Sequence, residues 1–327
     1  MLGTELLAKG VTYSGSLLLS RKWPRALFER FVLRSIMTGM NVTTERDSRL
    51  TTEELSLALI GWFEELPRRA RLVVALSGGV DSSVVVRAAS SSSHCVLAVT
   101  SSSEAVAARE LADAKRVADR IGVEHLCLHT NELAVEEYVR NDARRCYFCK
   151  RNLFSTIIQT LELEPETFWL LSGTNADDLG DYRPGLQAAE EYAVRAPLAE
   201  LGITKSQVRQ LAEHWQLPVA DKPASPCLAS RIAYGVEVTQ ERLAMIEAAE
   251  SFLLQHGFSD CRVRVHEGEL ARVEVPVGEV DRLCNSEMRA KFSRRIKDLG
   301  FRFVTIDLEG LRSGGLNQLI QIDVRDR

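Results

Sequence analysis

The chain has 327 residues, of which 45% are hydrophobic and 26% charged, as in a folded globular protein with room for two domains. Its net charge is −4, so no overall basic field argues for binding nucleic acid. No apolar run of about 20 residues occurs, which argues against a membrane-spanning helix. The cysteines follow no recognisable secretory signal, and this favours reduced thiols and a cytoplasmic location.

The first 50 residues differ from the rest because arginines alternate with apolar residues and acids are rare. A targeting peptide is one interpretation. A start codon placed too early is another, since Met37 and Met40 are also plausible starts, and a dispensable flexible extension is the third. We favour the last two interpretations and expect the folded part to begin at about residue 51.

The segment 72–83 predicts a buried strand, a tight turn and a helix. Two glycines in the turn let the backbone approach a ligand, and the free N–H groups of the helix start attract an anion. The residues predicted to bind the phosphates of a nucleotide are Ser77, Gly78, Gly79, Asp81, Ser82 and Ser83. This S-G-G-x-D-S pattern resembles the loop of PP-loop ATP pyrophosphatases, and Asp81 is predicted to be catalytic. An ordinary glycine turn capped by serines is the alternative.

Strands and helices alternate from residue 71 to about 171, which predicts an α/β fold with a doubly wound parallel sheet. A polar loop follows the last of these strands and should face the same ligand. Its residues predicted to bind the nucleotide are Gly173, Thr174, Asn175 and Asp178. Asp177, Asp178 and Asp181 could help place Mg²⁺ on the phosphates of ATP, although a solvated acidic turn is the alternative.

Three cysteines are candidates for chemistry. Cys146 and Cys149 form a C-x-x-C pair flanked by basic residues, as metal, cluster or redox sites require. Cys227 lies in a proline-containing loop near cations, where a thiol is a candidate nucleophile or cluster ligand. The alternative for the pair is two unrelated thiols in an aromatic helix. Cys95 and Cys127 fall in predicted strands and are expected to be buried.

The composition changes after about residue 235, and the order helix, strand, strand, helix, strand predicts a smaller α+β domain. We therefore divide the chain into an extension (1–50), a nucleotide domain (51–235) and a substrate-binding and oligomerisation domain (236–327). Arg262, Arg264 and Arg272 share one strand face with Glu274. A charged face exposed to solvent is the alternative to a binding site.

From about Thr51 onward, these motifs resemble the LarE family. The specific stretches are G-T-N-A-D-D-L-G-D-Y-R-P-G from Gly173 and P-C-L-A-S-R-I from Pro226. The resemblance implies a PP-loop fold, similar to adenine nucleotide α-hydrolases, and an ATP- and Mg²⁺-dependent sulfur transferase. Such enzymes adenylate and then thiolate the carboxylates of pyridinium-3,5-biscarboxylic acid mononucleotide, which builds the nickel-pincer cofactor.

The resemblance also implies roles for individual residues. Cys227 matches the sulfur-donor position, and in one branch that cysteine gives up its own sulfur. A second branch has three cysteines that hold a [4Fe-4S] cluster, whose fourth iron carries an extra sulfide taken from a sulfide source. Cys146, Cys149 and Cys227 favour this branch. Arg262 and Arg264 match arginines that bind the substrate phosphate. Glu274 matches a metal ligand, Glu250 and Asp281 are weaker matches, and a homo-oligomer, trimeric or hexameric, is implied.

Three other functions are open. A tRNA thiolase also pairs a pyrophosphate loop with cysteines, but the acidic net charge argues against it. An ammonia-using ligase similar to NAD synthetase would not need the three cysteines. A regulatory module would bind ATP without releasing pyrophosphate.

Overall fold

The computed structural model describes residues 50–164, 166–180 and 184–312. The chain divides into a unit of residues 1–50 and a unit of residues 51–327, and all that follows concerns the second unit. The extension predicted for 1–50 lies outside the described residues except for its last residue, and so does Asp181. The proposed division at residue 235 stays a prediction.

Four parallel strands form the main sheet, in the order β3-β2-β1-β4. Their bounds are β1 Arg71–Ala75, β2 Val96–Ser102, β3 Glu124–His129 and β4 Phe168–Leu171. In the register, Val73 of β1 lies opposite Leu97 of β2 and Leu170 of β4. Because every pair is parallel and a helix follows each strand, the predicted α/β fold class is confirmed.

Helices connect these strands and cover both faces of the sheet. Their bounds are α1 Thr52–Glu64, α2 Val80–Ser90, α3 Ala108–Ile121, α4 Glu136–Val139, α5 Arg145–Thr160, α6 Pro184–Glu191, α7 Pro197–Glu200 and α8 Lys205–His214. Capping boxes start α1, where Thr51 pairs with Glu54, and α8, where Thr204 pairs with Gln207. Among the described residues, no helix is long and apolar enough to cross a membrane.

The apolar run in β1 is continuous because this central strand is buried on both faces. Leu72 and Val74 pack in one core cluster with α1, α2 and α8. Val73 points to the opposite face and packs in a second cluster with α5. A strand covered on two faces has no polar side, which is why its sequence does not alternate.

A second sheet of three strands, in the order β5-β6-β7, follows the main sheet in the chain. The remaining elements are α9 Gln240–Gln255, β5 Arg262–His266, β6 Leu270–Glu274, α10 Val280–Cys284, α11 Ser286–Asp298 and β7 Phe303–Ile306. Val263 and Val265 are fully buried and belong to the same core cluster as Val73 of the main sheet. The second sheet is therefore joined to the first by continuous apolar packing, and its charged face remains for other contacts.

The expectation that Cys95 and Cys127 are buried is wrong, since both are exposed. Cys95 precedes the first residue of β2, and Cys127 lies on β3, the edge strand of the main sheet. On the side of β3 that carries Cys127, His129 is also exposed and His125 is partly buried. An apolar run thus predicted the strand but not its position at the edge.

Candidate functional site

The turn after β1 places its polar groups at the start of α2. Ser82 turns back so that its Oγ accepts a hydrogen bond from Ser77 N at 3.1 Å, and Ser83 Oγ donates to Gly79 O at 2.7 Å. No side chain caps the N-terminus of this 11-residue helix. The serines therefore shape the loop and leave the helix start for an anion.

Gly78 is required by the path of this turn. Its φ is +73°, and a Cβ there would lie 2.7 Å from Glu110 O and 2.9 Å from Ala114 N in α3. A larger residue would meet both an unfavourable backbone conformation and the backbone of a neighbouring helix. The loop is thereby packed closely against α3.

The loop after β4 lies directly against this turn. A Cβ at Gly173 would lie 2.5 Å from Ser82 N, so the backbones touch. Asn175, which is 3% exposed, donates from Nδ2 to Asp81 Oδ1 at 3.1 Å. Asp178 Oδ2 accepts from Asn175 N at 3.1 Å. The structure thus brings together the two loops that the sequence predicted at adjacent strand ends.

Thr174 belongs to the same loop but contacts its own neighbours. Its hydroxyl lies 3.1 Å from Ser172 Oγ, and its carbonyl accepts from Ala199 N at 3.1 Å. These contacts tie the loop to the start of α7, so Thr174 shapes the backbone on which Asn175 is carried.

Sequence reasoning missed Lys205, the first residue of α8. Its ammonium group forms an ion pair with Asp81, and its backbone N donates to Asp177 Oδ2 at 2.8 Å. A positive charge therefore lies at the loop even though the turn itself contains no lysine. The capping sequence at Thr204 predicted the helix start, but nothing in the sequence showed that Lys205 reaches residue 81.

Lys222 was noted only as a cation near Cys227, yet it connects two parts of the site. Its Nζ donates to Gly78 O at 3.0 Å and lies 2.6 Å from Glu110 Oε2 and 2.5 Å from Asp113 Oδ2. We call residues 221–231 the Cys227 loop and residues 77–83 the phosphate loop. Lys222 therefore fixes the start of the Cys227 loop to the phosphate loop and to α3.

The three candidate cysteines interact electrostatically. Burial raises the pKa of the Cys149 thiol, and the nearby Cys227 and Cys146 raise it further. Cys146 and Cys149 lie on the first turn of α5, and Cys227 immediately precedes a short 3-10 helix over Leu228–Arg231. The fold thus brings the three thiols into one neighbourhood, with Cys146 and Cys227 exposed.

Within the described ranges, no group of three or more histidine, cysteine or acidic side chains is arranged to hold a single metal ion. A four-iron cluster differs because its cysteines bind separate iron atoms. The surroundings fit such an anionic group, since Tyr138 has a buried hydroxyl with no hydrogen-bond partner in the described part of the chain. A buried guanidinium, that of Arg145, also has Cys227 and Cys146 as electrostatic partners.

Arginines fix the loop that carries Cys227. Arg231 is 1% exposed, forms an ion pair with Glu250 at 2.9 Å, and donates to the carbonyls of Pro226 and Cys227. Val263 N also donates to Glu250, at 3.1 Å. Because the ion pair is buried and its other hydrogen bonds are made, the loop is held from behind.

Arg262 and Arg264 of β5 hold the same loop from the sheet. Arg262 donates to Ala224 O at 2.8 Å, and Arg264 donates to Ser230 O at 3.1 Å. Arg264 also donates twice to Glu274, each time at 2.8 Å. The arginines predicted to bind a phosphate therefore lie beside the cysteine loop and already have partners.

The acids predicted as metal ligands differ in their surroundings. Glu274 is 2% exposed and accepts from Arg272 at 2.9 Å in addition to Arg264. Glu250 is held by Arg231, whereas Asp281 is exposed on α10. Both buried carboxylates are thus neutralised by arginine.

Comparison with known proteins identifies the class and then the family. Residues 65–181 match the asparagine synthase family. An uncharacterized protein of Synechocystis sp. is 42% identical over 251 residues, covering 76% of this chain and 93% of the relative. The pyridinium-3,5-bisthiocarboxylic acid mononucleotide synthase of Lactiplantibacillus plantarum is 32% identical over 253 residues, covering 76% of this chain and 90% of the relative. A tRNA-specific 2-thiouridylase of Azorhizobium caulinodans is 35% identical over 199 residues, about half of each chain.

The phosphate loop at the carboxyl end of a parallel sheet, faced by the loop after β4, defines a PP-loop ATP pyrophosphatase. Within that class, the similarity to the Lactiplantibacillus synthase extends over most of both chains. The chain belongs to the LarE family of ATP-dependent sulfur transferases, and the resemblance seen in the sequence is confirmed.

Proposed function

We propose that this protein uses ATP to adenylate and then thiolate the carboxylates of pyridinium-3,5-biscarboxylic acid mononucleotide. The observation that carries the proposal is the direct connection between the nucleotide loop and the cysteine loop, made by Lys222 Nζ and Gly78 O at 3.0 Å. An enzyme that activates a carboxylate with ATP and then delivers sulfur needs these two loops side by side. The named activity of the Lactiplantibacillus relative supports the substrate.

The reaction has two steps for each carboxylate. A carboxylate oxygen attacks the α-phosphorus of ATP, and the bond to pyrophosphate breaks. A sulfur nucleophile then attacks the carbonyl carbon of the adenylate, and AMP leaves with the electron pair of the broken carbon–oxygen bond. The product is a thiocarboxylate, and repetition on the second carboxylate gives the bis-thiocarboxylate.

The phosphate loop is proposed to bind the leaving pyrophosphate. The uncapped N-terminus of α2 supplies N–H groups and a positive dipole, and Lys205 adds a full charge beside Asp81. Asp178, together with Asp81, is proposed to help place Mg²⁺ on the phosphates, because carboxylate oxygens are its preferred protein ligands. Developing charge on pyrophosphate would thus be stabilised where it forms.

Cys146, Cys149 and Cys227 are proposed to hold a [4Fe-4S] cluster. Three thiol ligands leave one iron without a protein ligand. When bound, such a cluster supplies the sulfur nucleophile. The arginines around the loop fix the backbone of Cys227, and Tyr138 and Arg145 supply buried polar groups on the side of the thiols. If no cluster binds, Cys227 is the remaining sulfur donor: its thiolate would displace AMP to give a thioester, and loss of the Cα proton with breakage of the Cβ–S bond would release the thiocarboxylate and leave dehydroalanine, so each protein would react once.

The substrate phosphate is proposed to bind at Arg262 and Arg264, with Glu274 as an acid for a metal. The side chains of both arginines are buried to more than nine-tenths beside the Cys227 loop. An anion bound there would lie near the sulfur. Arg262 contributes Nη1 and Nη2 to protein partners, so a phosphate would share its guanidinium with the carbonyl of Ala224.

The test is turnover with a defined substrate. Anaerobic protein reconstituted with iron and sulfide is incubated with ATP, Mg²⁺, sulfide and pyridinium-3,5-biscarboxylic acid mononucleotide. We expect one pyrophosphate per carboxylate and a product in which each carboxylate has exchanged one oxygen for sulfur, detected by mass spectrometry. An Asp81→Asn variant should release much less pyrophosphate. Pyrophosphate release by a variant lacking all three cysteines, with nitrogen from added ammonia rather than sulfur entering the product, would contradict the proposal and favour an ammonia-using ligase.

A tRNA thiolase is the second candidate, because the tRNA-specific 2-thiouridylases match about half of this chain. The same reaction mixture with unmodified tRNA in place of the mononucleotide discriminates between the two. Sulfur incorporated into tRNA, with no thiolated mononucleotide, would replace our proposal with this alternative. If pyrophosphate is released but neither the mononucleotide nor tRNA gains sulfur, only ATP hydrolysis is left as an activity. ATP binding without pyrophosphate release would indicate a regulatory module.

We further propose a reducing, cytoplasmic compartment and a homo-oligomer, trimeric or hexameric. All seven cysteines are free, as reduced thiols require. Phe303 and Leu308 near the second sheet are 65% and 82% exposed, and such apolar surface is suited to a contact between subunits. Light scattering on the eluting protein measures the mass, and a monomer would contradict the oligomer.

A further inference from the structure

Two buried polar side chains lie next to the thiols: one has a hydroxyl without a hydrogen-bond partner among the described residues, and the other is a cation without a carboxylate partner there. Tyr138 of α4 is 1% exposed, and its hydroxyl has no hydrogen-bond partner among the described residues. Arg145, the first residue of α5, is 5% exposed, and none of the carboxylates in the described ranges forms an ion pair with it. Buried hydroxyls are almost always hydrogen-bonded and buried charges are almost always paired, so both side chains need an explanation.

Arg145 is held rigidly by neutral groups. Its Nη1 donates to Asn141 Oδ1 at 2.6 Å and to Ala229 O at 2.8 Å. Asn141 is itself fully buried and donates from Nδ2 to Ala233 O at 2.9 Å and to Val236 O at 2.8 Å. The guanidinium therefore has a fixed position but no counter-charge from a carboxylate.

The Arg145 guanidinium lies beside two of the cysteines. It donates to Ala229 O, two residues after Cys227, and Arg145 directly precedes Cys146 in the chain. Every other buried arginine of the region has a carboxylate, as Arg231 has Glu250 and Arg264 has Glu274. Among these buried arginines, Arg145 is thus the one placed against sulfur.

The Tyr138 hydroxyl lies on the side of the same sulfur atoms. Tyr138 packs in the core cluster that contains Phe148 and Leu228, the chain neighbours of Cys149 and Cys227. Its phenol hydroxyl can donate a hydrogen bond. The Tyr138 hydroxyl has no acceptor among the described residues. An acceptor atom on a group bound by the cysteines would supply one.

We propose that Tyr138 and Arg145 are positioning residues for the sulfur-bearing group held by the three cysteines. The Tyr138 hydroxyl donates a hydrogen bond to a sulfur atom of that group, and the Arg145 guanidinium compensates its negative charge. This inference rests on the proposed function, because it requires that Cys146, Cys149 and Cys227 bind an iron–sulfur group. Hydrogen bonds to sulfur and nearby positive charge both make reduction of such a group easier.

The experiment measures the midpoint reduction potential of protein reconstituted anaerobically with ferrous iron and sulfide. The variants are Tyr138→Phe, Arg145→Gln and Arg145→Lys. We expect Tyr138→Phe and Arg145→Gln each to shift the reduction equilibrium about tenfold toward the oxidised form, or about 59 mV for one electron. Arg145→Lys keeps the charge and should recover most of the shift.

Two control variants change residues at the start of α5. Tyr147→Phe removes a hydroxyl that already donates to Glu191 at 2.8 Å, and Arg144→Gln removes an exposed charge. Neither should move the potential appreciably. A second readout uses protein without iron, in which Tyr138→Phe should unfold at the same or a higher temperature because it removes an unpaired buried hydroxyl.

The outcomes separate this inference from the proposed function. Wild-type protein that binds no iron would overturn the inference and the proposed cluster, and would leave Cys227 as the sulfur donor of the proposed reaction. A cluster present in all variants with an unchanged potential would overturn the inference and leave the proposed function intact. Equal shifts in the variants and in their controls would also overturn it, because a general disturbance of α5 would then explain the data.

Discussion

Replacing Gly173 by alanine tests whether the contact between the two loops forms the nucleotide site. An added Cβ would lie 2.5 Å from Ser82 N, 2.8 Å from Ser82 Cα and 2.9 Å from Asp81 C. These atoms are backbone of the first turn of α2, so no flexible side chain can move aside. The helix start or the loop after β4 must shift, and the N–H groups that face the phosphates shift with it.

The size of the effect follows from overpacking. Inserting one methyl group into well-packed structure costs about 1–3 kcal/mol. If the bound state alone bears this cost, ATP affinity falls about 5- to 150-fold, since about 1.4 kcal/mol equals a tenfold change. If the fold bears it, the melting temperature falls instead. Calorimetric titration with ATP and a thermal melt separate the two.

Gly180→Ala is the matched control, because a Cβ at Gly180 meets nothing within 4 Å. Its ATP affinity, melting temperature and rate of pyrophosphate release should all equal those of the wild type. If Gly173→Ala also bound ATP and melted as the wild type does, the close contact between these loops would be irrelevant to the site, and the reasoning would fail.

Three further predictions concern ion pairs and a thiol. Arg231→Met leaves the buried Glu250 carboxylate largely uncompensated, so urea unfolding should show a loss of about 3–5 kcal/mol, mostly recovered when Glu250 is also made Met. Lys205→Ala should weaken ATP binding about tenfold while Lys205→Arg does not, because an unpaired Asp81 repels phosphates. Burial raises the pKa of the Cys261 thiol from 9.0 to about 12. The free energy of unfolding that this shift contributes is therefore fully present below pH 9.0 and is lost as the pH rises toward 12. Cys261→Ala should reduce this alkaline loss, as measured by urea unfolding.

The phosphate loop was predictable because its signals are local. A continuous apolar run, two glycines and a serine-rich helix start follow one another within a dozen residues, and each has a direct conformational consequence. The parallel arrangement followed from alternating strands and helices. That arrangement in turn placed the loop after β4 beside Ser77, because parallel strand ends share one edge of the sheet.

Lys205 and Lys222 were not predictable as parts of the site because their partners are distant in the chain. Lys205 lies 124 positions from Asp81, and Lys222 lies 144 positions from Gly78. A lysine near a helix start, or in a loop, is usually exposed, and no local pattern distinguishes these two. Only the packing of α8 against α2 brings Lys205 to the phosphate loop.

The arginines of β5 show a different limit of sequence reasoning. Strand alternation correctly placed Arg262 and Arg264 on one face with Glu274, but it could not show what covers that face. In the structure the Cys227 loop covers it, and both arginines donate to carbonyls of that loop. The arginines that strand alternation indicated as a possible anion site therefore also hold the loop that carries Cys227.

The Cys227 loop explains why so many arginines surround a single thiol. Its two prolines lack N–H groups, so the segment cannot form a regular ladder and its carbonyls need other donors. Four guanidinium groups donate hydrogen bonds to these carbonyls, and they belong to Arg145, Arg231, Arg262 and Arg264. The proposed reaction requires the sulfur to meet an adenylate, and a fixed backbone serves this because small errors of position slow such reactions greatly. Arg231, Arg262 and Arg264 each have a carboxylate partner, so among the four it is Arg145 that adds uncompensated positive charge beside the loop.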